Sequence, residues 1–285
     1  MNQLKSLFVT AYIVAGLAGV VAAVVRLSQD GLASPWLGAL IACAGPTLFF
    51  TQIMLMPRAR TSPGLLALPI AGGLGTVLAV ILGLAGAGTL AAAPVLVAAV
   101  VGLGGSLAYV HWYSRFGAPA NAALSVGARL PAFELVEYGQ RHRSSELTAK
   151  PALWIFYRGN WCPLCVAQIG EIAAQYRELA RRGVQVYLVS PQPEANSQAL
   201  AKRMDAPMRF MTDPGNAAAT VLGIVVQGGL PAGFQALGYD SDVPRPTVLI
   251  SEAGGRLIHC DLTDNYRVRP EPASLFAVLD RHAIV

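Results

Sequence analysis

Charge is what this sequence has least of. Only 13% of its 285 residues are charged, about half the share usual in a soluble protein of this length. The shortage is uneven. Residues 1–116 hold one acid, Asp30, and five basic residues, Lys5, Arg26, Arg58, Arg60 and Arg115. Cysteine is scarce as well, at four residues, and the histidines His111, His142, His259 and His282 are scattered. The sequence has no second CxxC, no phosphate-binding glycine loop and no Ser-His-Asp pattern. These absences exclude a simple soluble enzyme, a disordered chain and a basic nucleic-acid binder. The net charge of +5 comes from sparse arginines at the edges of apolar stretches, and no basic patch is formed.

Long apolar runs take the place of charge. Residues 6–25 and 31–57 are uncharged, and 61–114 is one uncharged run of 54 residues. A membrane span needs roughly 20 apolar residues, so four spans are expected, at 6–25, 36–56, 64–85 and 92–112. The last two are expected to turn between Gly86 and Pro94. Each span must be helical, because lipid offers exposed backbone groups no partner. The first has too long an apolar core for a cleaved signal peptide, and three more follow it. Gly16, Gly19, Gly72, Gly73, Gly75, Gly102, Gly104 and Gly105 point to close helix packing. No acid or base lies mid-span, where pumps and transporters keep one, so the region reads as an anchor or scaffold. Cys43 is a lone thiol suited to packing. The basic residues near the N-terminus, in the second loop and at the exit of the last span place these, and the C-terminal part, in the cytoplasm. The expectation is an integral protein of the cytoplasmic (inner) membrane, with lipid as a partner.

Residues 117–130 are small and read as a linker between a four-span region, 1–116, and a globular domain, 131–285. In that domain 152–157, 184–189 and 247–250 suit buried strands, and 256–262 a strand nearer an edge. Helical spacing covers 166–182, with shorter helices at 197–204 and 216–222 and a closing helix at 272–279. Strands alternating with helices make an α/β domain.

The chemistry concentrates where a strand meets a helix, at FYRGNWCPLC, 156–165. Cys162 and Cys165 bracket Pro163 and Leu164. Two cysteines three apart on a first helical turn can close a disulfide, and the helix N-terminus lowers a thiol pKa there. Zinc binding would need two more ligands, for which Cys260, His259 and His142 are the only candidates. A structural disulfide or an inert pair are the other readings, and redox chemistry fits the placement best. Cys260 suits packing as a small apolar residue. Pro246 leads into the strand at 247–250, where it belongs at the first position. A cis bond and an ordinary trans turn are both open to it.

Five stretches carry a resemblance: FYRGNWCPLC at 156–165, VSPQP at 189–193, MTDPGNAAATVLGI at 211–224, RPTVLIS at 245–251 and NYRVRPEP at 265–272. With these, residues 128–285 resemble the thioredoxin superfamily in its peroxiredoxin-like, AhpC/TSA-related branch. The resemblance implies an α/β thioredoxin-like domain, which follows the all-α membrane four-helix region read from the apolar runs. It also implies a thiol-dependent oxidoreductase that cycles Cys162 and Cys165 between dithiol and disulfide, without cofactor or metal. Read in the thioredoxin register, Trp161, Cys162, Pro163 and Cys165 match WCxxC. Cys162 is then the exposed attacking thiol, and Pro246, followed by Thr247, matches the cis-proline facing the sulfurs. Read in the peroxiredoxin register, Cys165 is the peroxidatic cysteine, Arg245 steadies its thiolate, and Arg158 and Cys162 replace the family's proline and threonine. Such a protein would take a protein disulfide or a hydroperoxide as substrate and draw on a thiol electron donor. A redox-sensing module that passes the CxxC state to the membrane helices is the alternative, and a scaffold with inert cysteines a third.

Overall fold

The computed structural model describes residues 2–87, 91–117 and 124–284, which form two compact units. The first is helical: α1 (Asn2–Asp30), α2 (Trp36–Leu55), α3 (Ala67–Ala87) and α4 (Ala92–Tyr113). All four are long and apolar enough to cross a membrane. α1 runs beyond the expected 6–25 until Gly31, whose φ of 81° ends it. α3 starts three residues later than expected, because Leu65, at φ 39°, turns back to Ser62 Oγ. Part of the turn expected between Gly86 and Pro94, residues 88–90, lies outside the described residues.

Apart from a buried cluster around Tyr12 and Tyr109, this unit keeps small side chains between its helices and turns many large aliphatic ones outward. Ala23, Ala39, Ala42, Cys43, Ala79 and Ala98 are fully buried, while Leu7, Val14, Leu48, Leu74 and Val100 are more than half exposed. That distribution suits an apolar solvent. A Cβ on Gly72 would lie 2.7 Å from the Gly102 backbone, and Gly38 and Gly75 press on each other's helices. Gly16, Gly19, Gly102 and Gly105 also lie against neighbouring helices. Gly73 meets nothing and Gly104 only its own helix, so two of the eight glycines serve no packing.

The second unit is a three-layer α/β domain. Its strands are β1 (Glu134–Glu137), β2 (Gln140–Arg143), β3 (Ala152–Phe156), β4 (Gln185–Ser190), β5 (Arg209–Thr212), β6 (Val225–Val226), β7 (Val243–Pro244), β8 (Thr247–Ser251) and β9 (Leu257–Asp261). Seven form one sheet in the order β2-β1-β5-β4-β3-β8-β9, and β6 and β7 pair apart. The helices are α5 (Ser144–Leu147), α6 (Pro163–Ala174), α7 (Tyr176–Arg181), α8 (Glu194–Arg203), α9 (Ala217–Val221) and α10 (Pro272–Arg281). β3 and β8 are buried at every position, as strands covered on both faces must be. Trp154, Phe156, Leu249 and Val189 join Phe133, Leu135, Met211 and α9 in one core layer. Leu153, Ile155, Val248 and Ile250 alternate with them and are buried on the other face.

The helix expected over 166–182 breaks at Gln175, where a tighter turn (Gln175 N–H to Ile172 O, 3.0 Å) separates α6 from α7 and lets Leu179 enter the core. No peptide bond among the described residues is cis, so Pro246 takes the trans alternative. Arg245 N–H donates to Ile224 O at 2.7 Å and continues the β6–β7 ladder. The chain therefore runs extended into β8 instead of reversing. Of the expected linker, residues 118–123 lie outside the described ones. Residues 124–130 already belong to the domain: Leu124 is in its core, and 127–128 exchange hydrogen bonds with Leu257 at 2.8 Å.

Candidate active site

β3 delivers the chain to the thiols. Tyr157 N–H bonds to Val189 O and extends the pairing with β4 by one residue. Gly159 then turns at φ 149°, where a Cβ would meet the Trp161 indole. Cys162 is the N-cap of α6 and Pro163 its first residue, the position a proline tolerates best. Cys165 thereby sits in the first turn, with its N–H on Cys162 O at 3.0 Å. The two sulfurs are 2.8 Å apart and both cysteines are free. Cys162 is 3% exposed and Cys165 0%, so the exposed attacking thiol expected at Cys162 is covered here.

Residues 189–193 brace this turn. Gln192 Oε1 accepts from Asn160 N–H at 2.8 Å, and its Nε2 donates to Tyr157 OH and Ser197 Oγ. The segment between β6 and β7 covers it. Phe234 lies 5.4 Å from Trp161, Tyr239 OH donates to Asn160 Oδ1 at 2.6 Å, and Arg158 donates to Gly229 O. Arg158 is buried, with its guanidinium 5.0 Å from the Trp161 ring. Pro246 and Thr247 are buried at the same end of the sheet, since Thr247 pairs with Phe156.

Arg245 and the arginine beside the thiols are different residues. Arg245 donates to Gly117 O at 2.6 Å and lies over the Phe116 ring. The guanidinium on Cys165 is that of Arg269, whose Nη2 is 3.5 Å from Sγ. Its Nη1 donates to Gln168 Oε1 at 2.8 Å and its Nε to Tyr266 O at 3.1 Å. A buried arginine held on three sides toward a buried sulfur is a site for an anion. Residues 126–259 match the AhpC/TSA family. The C-terminal domain is thus a peroxiredoxin-like domain of the thioredoxin fold, the fold of a thiol-dependent oxidoreductase.

Solved structures similar to this chain include the peroxidoxin BcpB of Mycobacterium tuberculosis (16% identity, 56% of this chain and 97% of that one, TM-score 0.46). AhpC of Enterococcus faecalis is similar at 16% identity, over 56% and 93% of the two chains, with a TM-score of 0.45. Reduced Prx3 of Vibrio vulnificus is similar at 17% identity, over 55% and 99%, with a TM-score of 0.48. No curated protein matches the sequence.

In this peroxiredoxin-like domain the two thiols differ electrostatically. Burial opposes ionisation of both. At Cys165 it is outweighed by the Cys162 S–H, the Arg269 charge and the Arg158 backbone N–H and guanidinium, which together hold its pKa below the usual thiol value. At Cys162 burial, hydrogen bonding to Cys165 and the adjoining thiolate push the pKa well up, against Arg269 and Arg158. Cys165 therefore ionises first and Cys162 keeps its proton. The sequence reading did not single out Arg269, Gln168 or Gln192. Arg269 and Gln192 stand in NYRVRPEP and VSPQP, two of the stretches that carried the resemblance. Gln168 follows Cys165 by one helical turn. Among the described residues no cluster of His, Cys, Asp and Glu could hold a metal.

Proposed function

We propose that the chain is a membrane-anchored thiol peroxidase in which Cys165 attacks and Cys162 resolves. The observation that carries this reading is the environment of Cys165: Arg269 Nη2 at 3.5 Å and the Cys162 sulfur at 2.8 Å. The Cys165 thiolate attacks the outer oxygen of a hydroperoxide. The O–O bond breaks, the alkoxide takes a proton and leaves as an alcohol, and Cys165 becomes a sulfenic acid. Cys162 then attacks that sulfur, and its proton leaves with the hydroxide as water. The disulfide so formed is reduced by a dithiol donor through thiol–disulfide exchange. Cys162 occupies the position of the family's threonine, which puts the resolving thiol beside the attacking one. Four apolar helices with outward-facing leucine and valine support the anchoring. Lys5, Arg58, Arg60 and Arg115 support a cytoplasmic domain.

The test uses the full chain in detergent with Cys162→Ser and Cys165→Ser. Cys165→Ser is expected to abolish peroxide consumption, and Cys162→Ser to accumulate a sulfenic acid at Cys165 that dimedone traps. Peroxide left untouched, with disulfide exchange lost only in Cys162→Ser, would instead make it a thioredoxin-type exchanger.

A further inference from the structure

The loop between β9 and α10 touches more than the thiols. Arg269, near its end, holds Cys165. Asp264, near its start, holds the chain that follows α4: its carbonyl accepts from Phe116 N–H at 2.7 Å and its Oδ1 from Gly117 N–H at 2.6 Å. Tyr266, between them, lies against both the Phe116 ring (6.4 Å) and the Arg158 guanidinium (5.8 Å). Arg245 completes the grip on Gly117 from β8's side at 2.6 Å.

The segment that follows α2 reaches the same loop. Arg60 donates from Nε to Arg269 O and from Nη2 to Pro270 O, each at 3.2 Å. Its guanidinium also pairs with Glu171 of α6, at 3.1 and 2.5 Å. Pro57–Arg60 and the chain from Phe116 onward belong to the same compact unit as the domain. One loop thus binds the reactive sulfur and two segments of its own compact unit, one following α2 and one following α4.

We propose that this loop is a redox-sensitive clasp, closed on residues 57–60 and 116–117 while Cys165 is a thiolate and loosened when the pair becomes a disulfide. The inference rests on the proposed cycle. In that cycle Cys162 and Cys165 lose two electrons to a hydroperoxide, which leaves as an alcohol and water, and one S–S bond forms. The sulfur then carries no charge for Arg269 to bind. Arg269 keeps Gln168 and Tyr266 O, but the ionic contact that fixed its end of the loop is gone. The backbone carbonyl of Arg269 is itself an acceptor for Arg60, so a shift of Arg269 is felt there directly. Here Arg245, the arginine assigned to the thiolate by resemblance, serves the clasp.

The experiment is hydrogen exchange by mass spectrometry on the full chain in detergent, reduced and then oxidised with a hydroperoxide, with the disulfide verified by peptide mass. Oxidation should speed exchange about tenfold at the Phe116 and Gly117 amides, whose N–H groups Asp264 accepts. Asp264→Ala should give fast exchange at Gly117 in both states and remove most of the difference there. Equal rates in the two states of the wild type would overturn the clasp, and so would a difference at Gly117 that survives Asp264→Ala unchanged. Failure of the disulfide to form at all would be a failure of the proposed cycle, and the clasp would fall with it.

Discussion

Replacing Arg269 with methionine takes the nearest positive charge from Cys165 and keeps most of the side-chain volume. The guanidinium nitrogen is 3.5 Å from the sulfur. Opposite unit charges at that separation attract by about 5 kcal/mol at an effective dielectric of ~20, equivalent to about three and a half pKa units. Arg158 remains beside the thiol and the vacated space relaxes, so a rise of about one to three units is expected. The assay is the pH dependence of Cys165 alkylation by iodoacetamide across roughly pH 5 to 10, read on the Cys165 peptide. A Cys162→Ser background leaves one thiol in the site and keeps a hydroxyl donor beside it. Arg245→Met is the control, because that guanidinium is spent on Gly117 O and the Phe116 ring. Its midpoint should not move. A raised midpoint in Arg245→Met with none in Arg269→Met would refute the reasoning and return the thiolate to Arg245.

Three further outcomes are expected. In the helical unit, Gly75→Leu should abolish recovery of monodisperse protein in detergent, since a Cβ there lies 2.7 Å from Ala42 N, while Gly73→Leu, which meets nothing, should be tolerated. Gln192→Leu leaves Asn160 N–H without its acceptor and Tyr157 without its donor, at a cost of about 1–3 kcal/mol in the domain's thermal unfolding. The lowered pKa of Cys165 means that the folded thiol binds fewer protons than the unfolded one. Its contribution to stability is complete above the unfolded value of about 8.5 and is lost as pH falls through the folded value. The stability difference between Cys162→Ser and Cys162→Ser/Cys165→Ser should therefore widen as pH rises to that point and then level off.

The parts of this protein that could be read from sequence are those written in continuous hydrophobicity. The four apolar helices, β3, β4 and β8 are uninterrupted runs, and the thiol turn carries its own motif. The β1–β2 hairpin escaped because its turn uses Tyr138 at φ 49° before Gly139, where an Asn-Gly or Asp-Gly pair would have signalled it. β5 is four residues between a proline and an Asp-Pro turn, too short to show a period. Arg269 reaches Cys165 across 104 positions, a separation on which spacing is silent. Resemblance supplied an arginine for the thiolate, and the fold supplies a different one. The β6–β7 pair stayed out of the sequence reading because two-residue strands joined across a long loop leave no period.

The segment that covers the turn before the thiols sets a tempo. With Cys162 and Cys165 at 3% and 0% exposure, a reagent in bulk water has little access while Phe234, Tyr239 and Gly229 stay on Trp161, Asn160 and Arg158 beside them. Reaction must wait for that cover to lift. At low reagent concentration the rate follows collisions with the rarely open form. At high concentration it reaches a ceiling equal to the lifting frequency, whatever the reagent. A saturable alkylation rate, shared by chemically unrelated thiol probes, is therefore the kinetic signature of this architecture. Between openings the dithiol is insulated from oxidants that merely drift past.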